Sequence, residues 1–544
     1  MKRAVRPRPA LVLTLAVLGA TTLSACTASA PTGARTDGRP AAVDPATRPE
    51  LRSFYAQKLK WAACGELRCA RLTVPMDYDD PANGRTFVLP VAKATTADPA
   101  HRMGSLVFNP GGPGGSGVDH LKEGAADSFG AEVRKRFDIV SFDPRGVGGG
   151  TPALSCDDGK DDKGEADPAP DAPRDEHPLS PRTDADRADA LALAKAAAAE
   201  CLERSGDILR HVGTRDAARD MDVLRAALGE SRLTYLGWSY GTSLGTSYAE
   251  QFPRRVRALV LDGAIDPSLD WRARAQSQAV GFRRAVDDYA TYCAEVVGAD
   301  TCPGATPDEI REVVDGLFTR TARSPLPVDG SEFGVDERML IDVVSTAMYT
   351  PEDQWKGLSE ALTQADGGDG TKLAALADGE KAPEGEEDGG GGSEDGGEAT
   401  SGPAVPADNE DAALLAVNCA DTPHPRAAQP YWDALAPAEK AAGRYGTTSV
   451  LDSLTCKDLP AGTEKPHRVR AEGVPPVLVV GTTGDPATPY EESESLAEQF
   501  PGGMLLTYEG VGHTAYGRGG SCVTDAVDAY LVGLKPVRPG ATCR

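Results

Sequence analysis

Basic residues are scarce in this sequence. Its 544 residues include 57 lysines and arginines against 82 aspartates and glutamates, which gives a formal net charge of −25. A protein that binds nucleic acid presents a basic face to the phosphates, so the composition excludes nucleic acid as an expected partner. A negative surface keeps a protein in solution, and the acidity alone does not indicate a cationic substrate.

Metal-binding patterns and long apolar runs are also missing. The chain has only seven histidines, and no group of cysteines and histidines has the spacing of a zinc site. We therefore predict no metal ion and no cofactor. The apolar run at residues 10–20 is too short to cross a bilayer. It follows a basic start, with four lysines and arginines within residues 2–8, and this pattern is typical of an export signal.

The segment after the apolar run predicts how the chain is processed. Leu-Ser-Ala-Cys at 23–26 resembles the lipobox of bacterial lipoproteins, in which the cysteine is lipidated and becomes the first residue. The alternative is cleavage after residue 30, which would place Pro31 directly at the cut. We predict a signal peptide at 1–26, lipidation of Cys26 as the only membrane contact, and a flexible tether at 27–49. The mature protein is then extracellular, either anchored to the cell membrane or secreted.

The cysteine count fits an oxidising compartment. Of the 11 cysteines, ten remain if Cys26 carries lipid, and an even number is typical of a disulfide-bonded protein. Connectivity does not follow from sequence, but proximity along the chain suggests five pairs. They are Cys64–Cys69, Cys156–Cys201, Cys293–Cys302, Cys419–Cys456 and Cys522–Cys543.

Short apolar runs alternate with helical patterns along the chain, which is the signature of a parallel α/β sheet. The predicted strands are 105–108, 137–142, 233–236, 258–261, 477–480 and 504–508. More than 200 mostly helical residues, including 271–297 and 307–317, separate the fourth strand from the fifth. We predict a hydrolase-like core at 50–265 and 471–544 with a cap at 266–470. Residues 157–187 are predicted to form a surface excursion, and the acidic, glycine-rich residues 377–410 are predicted to be disordered.

The sequence Gly-Trp-Ser-Tyr-Gly at 237–241 stands between a strand and a small-residue segment that can open a helix. This context is that of a nucleophile elbow, in which Ser239 projects from a tight turn and the flanking glycines relieve its crowding.

A serine hydroxyl needs a base, and His513 lies in a glycine-rich loop just past a predicted strand. The imidazole needs an acid. Asp485 ends the preceding strand and loop, and Asp262 is the competing candidate.

An oxyanion formed by attack of Ser239 needs preorganised N–H donors. One is predicted to be the backbone N–H of Tyr240, and the other that of Gly112 in the loop Asn-Pro-Gly-Gly-Pro-Gly-Gly at 109–115. Arg145, in Asp-Pro-Arg-Gly at 143–146, is predicted to be structural and to pair with an acid near that loop.

These motifs together resemble the α/β-hydrolase fold, and more narrowly the proline iminopeptidase and secreted tripeptidyl aminopeptidase family of serine exopeptidases. The loop at 109–114 is similar to the family's His-Gly-Gly-Pro-Gly loop, with Asn-Pro at the histidine position as in the secreted tripeptidyl branch. The blocks at 143–146, 237–241, 484–485 and 512–513 follow in the family's order, and the segment from 477 to the end is similar to the TAP-like region. The resemblance covers roughly residues 50–544. It implies release of short peptides or single residues from free N-termini through an acyl-enzyme on Ser239.

An exopeptidase of this kind must bind the α-ammonium group of its substrate, which requires carboxylates near the cleft between cap and core. The candidates are Asp421, Glu352 and Asp353. The leading hypothesis is an exported serine aminopeptidase that acts on peptides with free N-termini. The alternatives are an esterase or lipase with the same triad, and a surface lipoprotein that binds peptides without turnover.

Overall fold

The computed structural model describes residues 45–157, 179–298, 300–377, 379 and 405–544. The predicted signal peptide, Cys26, nearly all of the tether and the central parts of the two acidic segments lie outside these residues. Within the described part of the chain, no helix is both long enough and apolar enough to cross a membrane.

The described residues build one large mixed sheet and one small hairpin. The strands are β1 (Ala62–Cys64), β2 (Leu67–Pro75), β3 (Thr86–Ala94), β4 (Gly104–Asn109), β5 (Phe137–Phe142), β6 (Leu233–Trp238), β7 (Val256–Asp262), β8 (Leu326–Pro327), β9 (Gly334–Val335), β10 (Leu478–Gly484), β11 (Met504–Val511) and β12 (Ala541–Cys543). The large sheet has the order β1-β2-β3-β5-β4-β6-β7-β10-β11-β12. Pairing is parallel from β5 to β12 and antiparallel among β1, β2, β3 and β5. All six predicted strands are present.

Helices cover the sheet and form the insertion. They are α1 (Arg52–Ala56), α2 (Gly117–Lys122), α3 (Ala131–Arg136), α4 (Asp184–Arg204), α5 (Thr214–Ala227), α6 (Tyr240–Gln251), α7 (Trp271–Tyr292), α8 (Pro307–Thr321), α9 (Glu337–Ala347), α10 (Pro351–Asp366), α11 (Thr371–Ala377), α12 (Asn409–Asp421), α13 (Gln429–Ala442), α14 (Arg444–Asp452), α15 (Tyr490–Gln499) and α16 (Gly520–Gly533). The predicted helix at 271–297 is α7 followed by a π-helical turn, Cys293–Val297.

The central strands are buried on both faces, as strands of a parallel sheet are when helices cover both sides. Successive side chains of a strand point to opposite faces, and the core divides accordingly. Val107, Tyr235 and Leu259 belong to the cluster on one face, whereas Leu106 and Leu236 belong to the cluster on the other. This double cover fixes the carboxyl ends of β6, β7 and β10 side by side at one edge, where loop residues can meet.

The cap, defined as residues 266–470, has its own hydrophobic core. Residues of α7, α8, α9 and α10 pack into one buried cluster that includes Tyr289, Phe318 and Trp355. Two predicted boundaries are corrected by the structure. Leu179, in the predicted surface excursion, is buried in this cap cluster. Asn409, in the segment predicted to be disordered, is 4% exposed because its amide binds the core. Polar composition misled both predictions, since one buried side chain is enough to fix a segment end.

All five suggested disulfides are present, namely Cys64–Cys69, Cys156–Cys201, Cys293–Cys302, Cys419–Cys456 and Cys522–Cys543. Each joins cysteines that are close in sequence, so each closes a modest loop in the unfolded chain and lowers its entropy.

Candidate active site

Ser239 occupies the turn between β6 and α6. Its φ is 54° and its ψ is −123°, a conformation that costs a residue with a side chain about 1–3 kcal/mol. The strand becomes a helix within this one residue, so the serine side chain stands at the end of the strand rather than within the sheet. This is the local geometry of a nucleophile elbow.

The backbone around the two flanking glycines leaves no room for a side chain at either position. A Cβ on Gly237 would lie 2.3 Å from the carbonyl oxygen of Gly241, and a Cβ on Gly241 would lie 2.9 Å from the carbonyl oxygen of Asn109. The backbone N–H of Ser239 donates to the carbonyl of Asp262 at 2.9 Å. The turn is thereby fixed to the end of β7.

His513 and Asp485 are brought together at the ends of β11 and β10. Nδ1 of His513 lies 2.9 and 3.0 Å from the two carboxylate oxygens of Asp485. Asp485 is 2% exposed and also accepts from the backbone N–H groups of Ala487, Thr488 and Thr514 at 2.8–3.1 Å. These donors hold the carboxylate in place, so that it orients the imidazole with Nδ1–H toward Asp485 and leaves Nε2 as the acceptor.

Asp262, the competing candidate for the acid, binds backbone N–H groups rather than the imidazole. Its carboxylate accepts from the backbone N–H groups of Ala515 and Tyr516 at 2.7–3.1 Å and does not bind the imidazole. Burial raises the pKa of Asp262 to about 7. Asp262 therefore holds the loop that carries His513, while Asp485 holds the ring.

The imidazole of His513 lies close to the serine turn. The ring lies over Gly263, where an added Cβ would be 3.3 Å from Cε1 of His513. Gly263 directly follows Asp262, whose carbonyl binds the N–H of Ser239. Nε2 of His513 is buried and has no hydrogen-bond partner among the described residues, so the hydroxyl of Ser239 does not bind it in this structure. Catalytic hydrogen bonds in free enzymes are often long and tighten when substrate binds.

The loop 109–115, called the oxyanion loop below, packs directly on Ser239. A Cβ on Gly111 would lie 2.9 Å from Cβ of Ser239. Gly112 follows with φ 103°. The backbone N–H groups of Gly112 and Tyr240 donate to no other described residue. Both are therefore available to a ligand atom beside Ser239.

Arg145 does not pair with an acid near the oxyanion loop, contrary to expectation. It is 1% exposed, and it binds both oxygens of Asp220 on α5 at 2.6 and 2.7 Å. The brace next to the oxyanion loop is instead Asp143, which accepts from the hydroxyl of Ser116 and the N–H of Val118 at 2.8 and 3.0 Å. Burial raises the pKa of Asp143 to about 6.

A cavity of about 520 Å³ extends from this site into the cap. Gly112 and Tyr240 line its core side. Tyr349 also lines it, and its ring meets the imidazole of His513 edge to face at 5.1 Å. The apolar part of the wall is formed by Trp271, Ala275, Phe282, Leu414 and Leu415. The acids in the wall are Asp411, Asp421 and Asp452.

Of the three carboxylates predicted to bind the substrate, only Asp421 lines this cavity. Its two oxygens accept from the N–H and the hydroxyl of Thr214, both at 2.6 Å, and burial raises its pKa to about 6. Glu352 and Asp353 lie exposed at the start of α10, outside the cavity wall. Glu352 binds Nε and Nη2 of Arg518 at 2.8 Å each, and these hydrogen bonds lower its pKa. The role of Glu352 and Asp353 in binding the substrate stays a prediction, although neither residue lines this cavity.

Sequence reasoning missed Asp411, Asp452 and Tyr349. Asp411 is part of the acidic stretch that resembles a disordered segment, and nothing local marks it. Asp452 and Tyr349 follow helical patterns in the cap, where only the packing of separate helices shows which side chains face the core. No signal within one sequence identifies them.

Two family models match parts of the chain. Residues 104–301 match the family model described as alpha/beta hydrolase fold, and residues 440–543 match the one described as TAP-like protein. The chain is 34% identical over 515 residues to the serine protease Hip1 of Mycobacterium tuberculosis, covering 90% of this chain and 91% of that protein. It is 34% identical over 492 residues to the tripeptidyl aminopeptidase of Streptomyces lividans, covering 89% and 84%.

Two further similarities complete the comparison. A Mycobacterium tuberculosis protein named carboxylesterase B is 33% identical over 499 residues, with 88% of each chain covered. Among solved structures, the proline iminopeptidase of Mycobacterium smegmatis has a TM-score of 0.38 at 15% identity, covering 85% of this chain and 97% of that one. The chain belongs to the α/β-hydrolase family, among the serine hydrolases that carry a TAP-like carboxy-terminal region.

Proposed function

We propose that this protein is an exported serine aminopeptidase that releases tripeptides or single residues from free N-termini. The observation that carries the proposal is the His513–Asp485 pair, whose Nε2 has no partner among the described residues and whose ring lies beside Gly263, close to the turn that bears Ser239. Relatives named serine protease and tripeptidyl aminopeptidase support the choice of a peptide bond as the target.

The residues of the site account for both steps of the reaction, acylation of Ser239 and hydrolysis of the acyl-enzyme. The hydroxyl of Ser239 attacks the peptide carbonyl while Nε2 of His513 takes its proton, and Asp485 stabilises the imidazolium. The N–H groups of Gly112 and Tyr240 bind the oxyanion. His513 then protonates the departing amine, leaving an acyl-enzyme on Ser239. A water molecule, deprotonated by the same nitrogen, hydrolyses this ester and restores the serine.

The cavity supports a substrate with a free amino group. Gly112 and Tyr240 line it together with residues of the cap, so the part of the peptide that becomes the acyl group has a space to occupy beside the predicted oxyanion donors. Asp411 and Asp452 offer carboxylates to an ammonium group in that space. Asp452 also accepts from Arg338 at 2.8 Å, so Asp411 is the less neutralised of the two. We assign Asp411 the main role in binding the amine.

The proposal is tested by the variant Ser239→Ala. Hydrolysis of a tripeptidyl p-nitroanilide is expected to fall by about 10⁴-fold or more, since loss of the nucleophile leaves only binding and the oxyanion hole. Ser247→Ala, on the same helix, is the matched control and is expected to keep normal turnover. Full activity of the Ser239→Ala variant would exclude the assignment.

An esterase is the second candidate, and the similarity to a protein named carboxylesterase B favours it. N-acetylation of the substrate separates the two candidates. An aminopeptidase loses its ammonium contact and rejects the acetylated peptide, whereas an esterase hydrolyses acetylated and free acyl esters equally. Asp411→Asn should raise KM at least tenfold for the free peptide alone. An unchanged KM would remove Asp411 from the amine site.

A protein that binds peptides without turnover is the third possibility. An organophosphonate reacts only with an activated serine, so labelling of Ser239 that is lost in the Ser239→Ala variant supports catalysis. Absence of labelling in the intact protein would favour the binding protein.

Export and anchoring are proposed together with lipidation of Cys26. The ten paired cysteines among the described residues support an oxidising location. In a bacterial host fed with labelled palmitate, the full chain should carry label and sediment with membranes, and Cys26→Ser should abolish both. Label retained in the Cys26→Ser variant would show that Cys26 is not the anchor.

A further inference from the structure

Helix α12 of the cap is linked to both residues predicted to supply the oxyanion donors, by direct contact with the loop of Gly112 and only through Thr214 to the side chain of Tyr240. Its first turn packs on the oxyanion loop, and its last residue, Asp421, is linked to Tyr240 through Thr214. The helix is 13 residues long, so it reaches roughly 20 Å at 1.5 Å per residue. A single rigid element therefore connects the two sides of the hole.

The link at the end of the helix is a directed chain of hydrogen bonds. The hydroxyl of Thr214 donates to Asp421 at 2.6 Å, and the N–H of Thr214 donates to the other carboxylate oxygen at the same distance. The hydroxyl of Thr214 therefore accepts from the phenol of Tyr240, 2.5 Å away. Tyr240 and Thr214 are 4% and 7% exposed, so solvent offers little competition for these bonds. Consecutive hydrogen bonds of this kind polarise and strengthen one another.

The start of the helix is fixed just as closely. A Cβ on Gly114 would lie 2.5 Å from the carbonyl oxygen of Glu410 and 3.3 Å from Cβ of Ala413, so the oxyanion loop touches the first turn of α12. The side chain of Asn409 donates to the carbonyls of Gly146 and Leu154 at 2.9 and 2.8 Å and accepts from the N–H of Gly148 at 2.7 Å. The helix cannot shift at this end without breaking three buried hydrogen bonds.

We propose that Asp421 is a positioning residue for the oxyanion hole, acting through Thr214 on Tyr240, and that it does not bind the substrate's amine. Tyr240 begins α6, and its phenol binds Thr214, which in turn binds Asp421 of the cap. Holding the phenol in place positions the backbone of Tyr240, whose N–H donates to the oxyanion. Both oxygens of Asp421 already accept from Thr214, which leaves Asp411 as the better partner for an ammonium group. The inference rests on the proposed acyl-enzyme function.

The test compares Tyr240→Phe, Thr214→Val and Asp421→Asn. Tyr240→Phe keeps the backbone N–H and removes only the link to the chain. Each variant is assayed on a free tripeptidyl p-nitroanilide and on p-nitrophenyl acetate, a small activated ester that carries no amino group to be recognised. We expect kcat to fall about tenfold on both substrates with KM unchanged, less than the ~10²–10³ that deletion of an oxyanion donor costs. A merely structural role would lower Tm and leave kcat of the folded enzyme unchanged.

A matched control is Tyr248→Phe. Tyr248 is also buried on α6, and its phenol also donates to a carboxylate, that of Asp222, at 3.1 Å. The Tyr248→Phe variant should be less stable than the intact protein but should keep the same kcat. A rise in KM confined to the free peptide in Asp421→Asn would assign Asp421 to the amine and overturn the inference, as would an unchanged kcat in all three variants.

The outcome is separable from that of the proposed function. If Ser239→Ala retained activity, the acyl-enzyme would be excluded whatever the three variants did. If Ser239 is labelled by an organophosphonate and the Tyr240→Phe protein is labelled at the normal rate, the acyl-enzyme stands and only the positioning role fails.

Discussion

Asp262 and Asp485 end neighbouring strands, yet the structure gives them different partners. Asp485 binds the imidazole of His513, and Asp262 binds the backbone just after it. A sequence shows that two aspartates follow two strands. It does not show which of the two carboxylates binds the imidazole of His513, because that depends on how the loop after β11 packs on the end of β7.

The two aspartates are predicted to differ when each is replaced by asparagine. Asp485→Asn should lower kcat about 10⁴-fold with little change in KM, because the amide favours the wrong tautomer of the imidazole. Asp262→Asn should lower Tm, since an amide nitrogen would face a backbone N–H, and reduce kcat by less than tenfold. Steady-state kinetics and thermal unfolding of both variants measure this. A larger kcat loss in Asp262→Asn than in Asp485→Asn would reverse the roles.

The residues of the proposed site differ in how far sequence could predict them. Ser239, Asp485, His513, Gly112 and Tyr240 lie in short glycine-rich segments after strands, where local pattern and order along the chain identify candidates. Glu352 was predicted from its charge and its position in the cap, and it turned out to pair with Arg518. Charge does not show whether a carboxylate has a partner, and that partner lies 166 residues away.

At the scale of elements, the segment between α9 and α10 is hydrogen-bonded to the loop that carries His513. The carbonyl of Tyr349 accepts from the N–H of His513 at 2.9 Å. Arg518 binds Glu352 on the cap side and the carbonyls of Val511 and Thr514 on the loop side, at 3.0 and 2.8 Å. The loop is therefore held between cap and core.

Arg518→Ala is predicted to lower kcat about 10-fold to 100-fold, because a small misplacement of a reacting group has a large effect on rate. Arg284→Ala is the matched control. Arg284 also joins cap to core, through an ion pair with Glu491 at 3.2 Å, but it is remote from His513 in sequence and contacts. Kinetics of both variants, with Tm measured in parallel, provide the test. Equal kcat in the two would show that Arg518 serves stability alone.

At the scale of the whole molecule, the buried imidazole of His424 is expected to oppose folding of the cap in acid. His424 lies in the cavity wall, and burial lowers its pKa from 6.5 to about 4. A group whose pKa is lower in the folded state binds fewer protons there, so the stability it permits is present above pH 6.5 and is lost as the pH falls toward 4. The contribution of His424 to the free energy of unfolding should therefore decrease across this interval, whereas the buried carboxyls of Asp143, Asp262 and Asp421, whose pKa values are raised, contribute in the opposite direction.

Chemical denaturation of the intact protein and of the His424→Gln variant between pH 7 and pH 4 isolates the histidine, and the variant should gain stability relative to the intact protein as the pH falls. Glutamine cannot be protonated and is able to keep a bond to Thr422, whose hydroxyl lies 3.1 Å from Nε2. The same pH dependence in both proteins would show that protonation of His424 does not oppose folding.

The overall architecture was predictable to the extent that it depends on parallel strands. Buried strands such as β5 and β7 are continuous apolar runs bounded by loops, and they were found with nearly correct bounds. The antiparallel β1, β2 and β3 and the edge strand β12 were missed. In β2, buried and exposed residues are mixed with charges such as Arg68 and Arg71, because one face of such a strand meets solvent. Such mixed runs are not separable from loops by pattern alone.

The two disulfides at the outer strands have a consequence for the proposed export of the protein. Cys64–Cys69 ties β1 to β2 at one rim of the sheet, and Cys522–Cys543 ties β12 to α16 at the other. A rim strand that peels away exposes a template onto which a foreign chain can polymerise. Here neither rim can detach without cleavage of a covalent bond, so a protein exported as proposed is protected at both rims against strand-to-strand aggregation.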